Sequence, residues 1–249
     1  MLTKIIKRAF PQTPKGNLHP SPVEAFHSDN YLRHTARRLE HLASLHIPVA
    51  GKSVLDVASG IGDHAQYYFD RGCRVTLSDG RPENLEVLRR RFPGAPVYLL
   101  DMEKPEELPG SPFEIVHCYG LLYHLGNPDV ALDYLAKACS EILFLETCVT
   151  PGDHEEIHPV EEDPGNPTWA VSGKGCRPTR PWIFKRLQKH FAHVYVTTTQ
   201  PNHPDFPIEW ESLQINDKVL TRAVFVAAHK PLECPWLVNF IPHHQTRHP

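Results

Sequence analysis

The residues with the most chemical promise lie between positions 50 and 150. Asp56 ends an apolar run and leads into Ala58-Ser59-Gly60-Ile61-Gly62, where small residues let the backbone approach a ligand closely. Asp79-Gly80 closes a second run, Thr76-Leu77-Ser78, and a carboxylate placed there accepts hydrogen bonds from ribose hydroxyls. Asp101-Met102 follows a third run; the carboxylate suits an exocyclic amine, and the thioether packs on a flat ring. A fourth run, Phe113 to Tyr119, passes into Gly120-Leu121-Leu122-Tyr123-His124. His124 is the candidate general base, because a neutral imidazole takes up a proton near pH 7, and Tyr123 is its candidate orienting neighbour. Glu146 ends a fifth run, as a substrate ligand or as a support for the loop that follows. Each has a plainer alternative: a simple strand-to-helix turn at 58–62, a capping Asp79, a packed His124.

These residues need elements to carry them. Short apolar runs at 53–57, 74–78, 96–100, 113–119 and 141–146 alternate with helical stretches at 64–71, 82–91 and 130–138. Strands buried on both faces in this β-α order predict a parallel sheet with helices on each side. Ahead of it, Val23 to Leu45 has a helical pattern that Ser28 or Asp29 caps, so residues 1–47 form an extension and lid helix over the site, with Tyr31 as a substrate-side residue beside His27 and Arg33. The domain proper spans 48–230. Residues 150–180 interrupt the rhythm with prolines and glycines, which predicts a cap-forming insertion. A helix from Pro181 and two strands, 193–198 and 222–229, complete the domain, and 231–249 form a tail.

The acceptor side should come from the 150–210 region. Trp169, Arg177 and Arg180 are its leading substrate-binding candidates, with His154, His158, Trp182 and His203 behind them. Guanidinium groups at Arg177 and Arg180 suit a carboxylate or phosphate, or are simply solvated. Asp153-His154-Glu155-Glu156-x-His158 has metal-capable side chains but reads as a charged solvent face, so no metal is expected.

Composition narrows the classes. A formal net charge of −3 does not advertise a nucleic-acid partner. The six cysteines form no C-x-x-C pair and read as reduced thiols of a cytoplasmic protein. No apolar run reaches the length of a membrane span, and no secretory signal is read; the basic start, Met1 to Phe10, is expected to form a frayed terminal helix.

Together, Asp56, Gly60, Gly62, Asp79, Asp101-Met102 and Tyr119-Gly120 resemble the ordered motifs of class I S-adenosylmethionine-dependent methyltransferases over residues 50–147. Ala58 stands where that family usually has its first glycine. A dinucleotide-binding Rossmann domain is the rival, and it lacks its third glycine here. The resemblance implies an α/β, Rossmann-like, seven-stranded, mostly parallel sheet with helices on both faces, a reversed last strand and a small cap. It implies S-adenosyl-L-methionine as cofactor, held by Asp56, Ala58, Ser59, Gly60, Gly62, Asp79, Gly80, Asp101, Met102 and Tyr119. The function expected is methyl transfer to oxygen or nitrogen of a small molecule of sugar or natural-product type. Gly120 to His124 and Phe144-Leu145-Glu146-Thr147 are also similar to the tRNA wobble-uridine carboxymethyltransferases, which keeps a tRNA-modifying transferase as an alternative. A non-catalytic cofactor-binding protein is the other.

Overall fold

The computed structural model describes residues 19–213 and 220–248; the helix expected at 1–10 lies outside them. Helix α1 (Pro22–Phe26) starts with a capping box, in which the Ser21 Oγ accepts from Glu24 N–H and Glu24 Oε2 accepts from Ser21 N–H at 2.8 Å. Helix α2 (Asp29–Ser44) follows. The single helix expected over 23–45 is broken because Ser28, with ψ 147°, is the extended N-cap residue of the second. The inward face of α2 is polar: His34, Thr35, Arg38 and His41 are buried beside Leu42.

The alternating run then appears as β1 (Ser53–Val57), α3 (Ala65–Phe69), β2 (Arg74–Asp79), α4 (Pro82–Arg91), β3 (Val97–Leu99), β4 (Phe113–Tyr119), α5 (Pro128–Ala138) and β5 (Cys139–Val149). A ribbon of β6 (Ile157–Glu161) and β7 (Lys174–Pro178) forms the insertion. Helix α6 (Arg180–Leu187), whose N-cap Thr179 accepts from Trp182 N–H, precedes β8 (His193–Thr197), β9 (Thr199–Gln200), β10 (Thr221–Ala228), β11 (Leu237–Val238) and β12 (Thr246–Arg247).

The main sheet runs β11-β8-β10-β5-β4-β1-β2-β3. Pairings among β1 to β5 are parallel, and β10 lies antiparallel between β5 and β8, as the reversed strand requires. The expected seven strands are eight, because β11 adds to β8 from the stretch beyond 230. Successive strand residues serve opposite faces: Leu55 and Val116 join one core with Leu132 and Phe225, and Val54 and Ile115 join the other with Leu77 and Phe144. The chain reverses its direction of strand addition between β1 and β4, so a crevice opens beyond their C-terminal ends. No helix among the described residues is long and apolar enough to cross a membrane.

Candidate functional site

A cleft occupies that crevice, at the place where ligands bind in open α/β sheets. Its floor comes from the ends of β1 to β4: Ala58, Asp79, Gly80, Asp101, Met102, Tyr119 and Gly120. Phe26 and Tyr31 close one side, and residues 167–172 of the insertion close another. His124 opens onto the same space from the short turn after β4.

Asp79 organises the floor. Its Oδ2 accepts from Gly60 N–H at 2.9 Å, and its Oδ1 accepts from Arg81 N–H at 2.9 Å and Asn84 Nδ2 at 3.1 Å. A carboxylate offers roughly four lone-pair sites, so a further donor such as a ribose hydroxyl can still be accepted. Burial pushes its pKa up to about 6, against the pull of those donors. Gly80 is in close contact with the insertion, since a Cβ on it would lie 3.3 Å from Val171 Cγ2. Arg81 ties the same two parts together, its Nη2 donating to the carbonyls of Pro164 and Trp169 at 3.0 and 3.1 Å.

The glycine loop lies under this floor. Ala58 and Gly60 have φ of 54° and 56°, left-handed values that favour glycine. A Cβ at Gly60 would stand 2.7 Å from the Phe26 ring, and one at Gly62 would stand 2.4 Å from Phe92. Asp56 is buried, with Oδ2 unpartnered among the described residues, and burial raises its pKa to about 8. Among the loop residues, then, Ala58 faces the cleft, whereas Asp56, Ser59, Gly60 and Gly62 shape its backing; Ser59 Oγ donates to the Asp56 carbonyl at 2.8 Å.

On the opposite wall, His124 Nδ1 lies 2.5 Å from Glu162 Oε2, and both side chains are almost wholly buried. Ala170 N–H donates to the same oxygen at 2.8 Å, and Arg177 Nη2 lies 3.5 Å from Oε1. Burial lowers the His124 pKa, outweighing the carboxylate that favours its charged form. Burial acts to raise Glu162, but its bond to His124 and the nearby charge hold it below the ordinary range. The pair is therefore a neutral imidazole donating from Nδ1 to a carboxylate, which leaves the Nε2 lone pair available.

Behind His124 stands a buried triad. Glu146 Oε1 accepts from Arg222 Nη1 at 2.9 Å, and its Oε2 from Arg38 Nη1 at 3.0 Å. Arg222 Nη2 also donates to Tyr123 Oη at 2.9 Å. Tyr123 and Glu146 thus sit one layer behind the cleft, as supports.

The comparisons agree with this geometry. A family profile described as "Methyltransferase domain" matches residues 54–141. The chain is 34% identical over 118 residues to a relative named "tRNA U34 carboxymethyltransferase" from Hahella chejuensis (strain KCTC 2396); the match covers 44% of this chain and 36% of that one. The chain thus spans about a third of that relative's length. Among solved structures, the N-terminal domain of EvdMO1 with SAH bound superposes with a TM-score of 0.61 at 19% identity, covering 82% of this chain and 85% of that one. Magnesium protoporphyrin IX methyltransferase from Synechocystis PCC 6803 with bound SAM superposes with a TM-score of 0.51 at 14% identity, covering 81% and 82%. These likenesses show the fold.

Around the cleft, the structure separates the candidates named from sequence. Tyr31 and Trp169 line the cleft. Arg177 braces Glu162 and donates to the Tyr123 carbonyl at 3.2 Å. Arg180 does not reach the cleft: it is buried over the Trp210 ring and donates to the Pro242 carbonyl at 2.8 Å, a packing role. His154 is exposed, and His158 pairs at the surface with Glu156. Glu162, Arg38, Arg222 and Phe26 were missed. Nothing local marks Glu162 apart from its neighbouring acids, because its partner stands in another segment.

Proposed function

We propose that this chain transfers a methyl group from S-adenosylmethionine to an oxygen or nitrogen of a small-molecule acceptor. The observation that carries this reading is a base, His124, oriented by Glu162 and opening onto a cleft whose floor is Asp79, Gly80, Asp101 and Met102. The residues present fit the cofactor: a carboxylate with acceptor capacity left, a glycine at a close approach and a buried thioether beside the cleft. When bound, S-adenosylmethionine supplies a methyl group activated by its sulfonium. Asp79 would accept from a ribose hydroxyl, Asp101 would accept from the adenine amine, and Met102 would pack on the ring. His124 Nε2 removes the proton of the acceptor hydroxyl or amine, while Glu162 holds the imidazole tautomer that keeps Nε2 free. The insertion, joined to the floor by Arg81, excludes water from the reacting pair.

Calorimetry with S-adenosylmethionine and its demethylated product tests the reading. The wild-type protein should bind both, and Asp79→Ala should weaken binding by about 1–3 kcal/mol. Absence of binding by the wild type sinks the proposal. A second reading, modification of a tRNA wobble uridine, is favoured by the named relative, which matches over less than half of this chain. Steeply salt-dependent tRNA binding would support it.

A further inference from the structure

We propose that His34, His203 and Asp205 form a divalent-cation site of the two-histidine, one-carboxylate type, beside the cleft and separate from the cofactor floor. One ligand atom from each lies within 4.8 Å of the others. Asp205 Oδ2 is 3.8 Å from both His34 Nε2 and His203 Nδ1, too far for hydrogen bonds. Bonds of about 2.0–2.2 Å to one ion place its ligands roughly 3.0–3.5 Å apart, so small side-chain shifts complete the set.

A second observation points to a ligand there. His34 is buried, and its Nε2 has no hydrogen-bond partner among the described residues. An unsatisfied buried ring nitrogen carries a cost that an ion removes. His203 Nδ1 already offers its lone pair, accepting a long 3.3 Å contact from Asp205 N–H that an ion would replace. His34 is fixed by stacking on Phe206, with ring centroids 5.5 Å apart. Arg222 Nε lies 3.8 Å from Asp205 Oδ2, too far for a hydrogen bond, and its two Nη groups are engaged by Glu146 and Tyr123, so the Asp205 oxygen is free to turn toward an ion.

Two imidazoles and one carboxylate select a first-row divalent ion such as Zn²⁺, Mn²⁺ or Fe²⁺ over Mg²⁺ or Ca²⁺. Three protein ligands leave positions open, and the Asp205 side chain is 29% exposed, so acceptor oxygens can reach the ion. The site borders the cleft through Tyr31, whose ring centroid is 6.5 Å from that of His34. Chelation of hydroxyl groups on the acceptor follows from this position and rests on the transferase reading above; ion binding does not.

The test uses chelator-treated protein titrated with ZnCl₂ and MnCl₂ by calorimetry, with Co²⁺ absorption as a report on coordination. One equivalent should bind. His203→Ala and Asp205→Asn should each weaken it at least about tenfold, and His34→Gln should do the same. The paired variant His243→Ala, His244→Ala, on exposed residues near the C-terminus, should leave it unchanged. Thermal melts identify any variant that fails to fold. No stoichiometric binding by the wild type, or binding that survives His203→Ala and Asp205→Asn, overturns the site. Binding of demethylated cofactor, measured on the same samples, separates this failure from failure of the transferase reading.

Discussion

The two walls of the cleft are built differently. The cofactor floor is local: Gly60, Asp79, Arg81 and Asn84 bond one another across two adjacent strand ends. The acceptor wall is assembled from far apart, with Arg38, Glu146 and Arg222 on α2, β5 and β10, and Glu162 reaching His124 from the insertion. A local site can be shaped by turn geometry and glycine. A wall drawn from distant segments is held by buried charge, and the penalty for losing one partner there is large.

The sharpest way to break this contrast is Glu146→Gln. It strands two buried guanidinium groups and should cost about 3–5 kcal/mol, lowering the melting temperature by roughly 6–20 °C. A melt within a degree or two of wild type would show that the triad does not hold the wall. Next, His124→Ala should slow transfer about 10²–10⁴-fold with cofactor affinity unchanged in calorimetry. Glu162→Gln should have a smaller effect on rate and shift the pH profile, because it orients the base without touching the acceptor.

Asp79 sharpens the comparison through pH. Its folded pKa is raised to about 6 by burial. The stability this contributes is fully present below its unfolded pKa near 4 and is lost as pH rises through 6. Cofactor affinity should run the other way, strongest above pH 6, where the carboxylate is charged, and falling below it. Titrations of demethylated cofactor at pH 5 and pH 8, beside melts of the free protein, read both slopes. The smallest effect is expected at Gly60→Ala, about 1 kcal/mol from its left-handed φ plus displacement of the Phe26 ring. Denaturant unfolding checks it.

The same contrast explains what could be read from the sequence. Asp56, Asp79-Gly80 and Asp101-Met102 each stand at the end of a short apolar run, one per strand-turn-helix repeat, so the order and spacing of those runs carried them. Tyr31, Trp169 and His124 were legible as candidates because aromatic and histidine side chains stand out in polar or turn-rich stretches. Arg180 was misplaced because a buried arginine over Trp210 looks the same in sequence as one that grips a ligand. Glu162, Arg38 and Arg222 were not legible, since their meaning comes from partners more than 30 residues away. The eighth strand escaped because Leu237–Val238 is too short to show a period.

The buried triad also decides how molecules get in and out. Swinging α2 outward would pull Arg38 from Glu146 and expose or abandon a charge at the centre of the molecule. That helix is therefore a fixed wall rather than a door. The cleft's other two sides are the five-residue α1, which touches the loop through Phe26, and the insertion, which Arg81 holds with carbonyl bonds. Of the two, the Phe26 contact is apolar, whereas moving the insertion would also part the buried Glu162 carboxylate from His124.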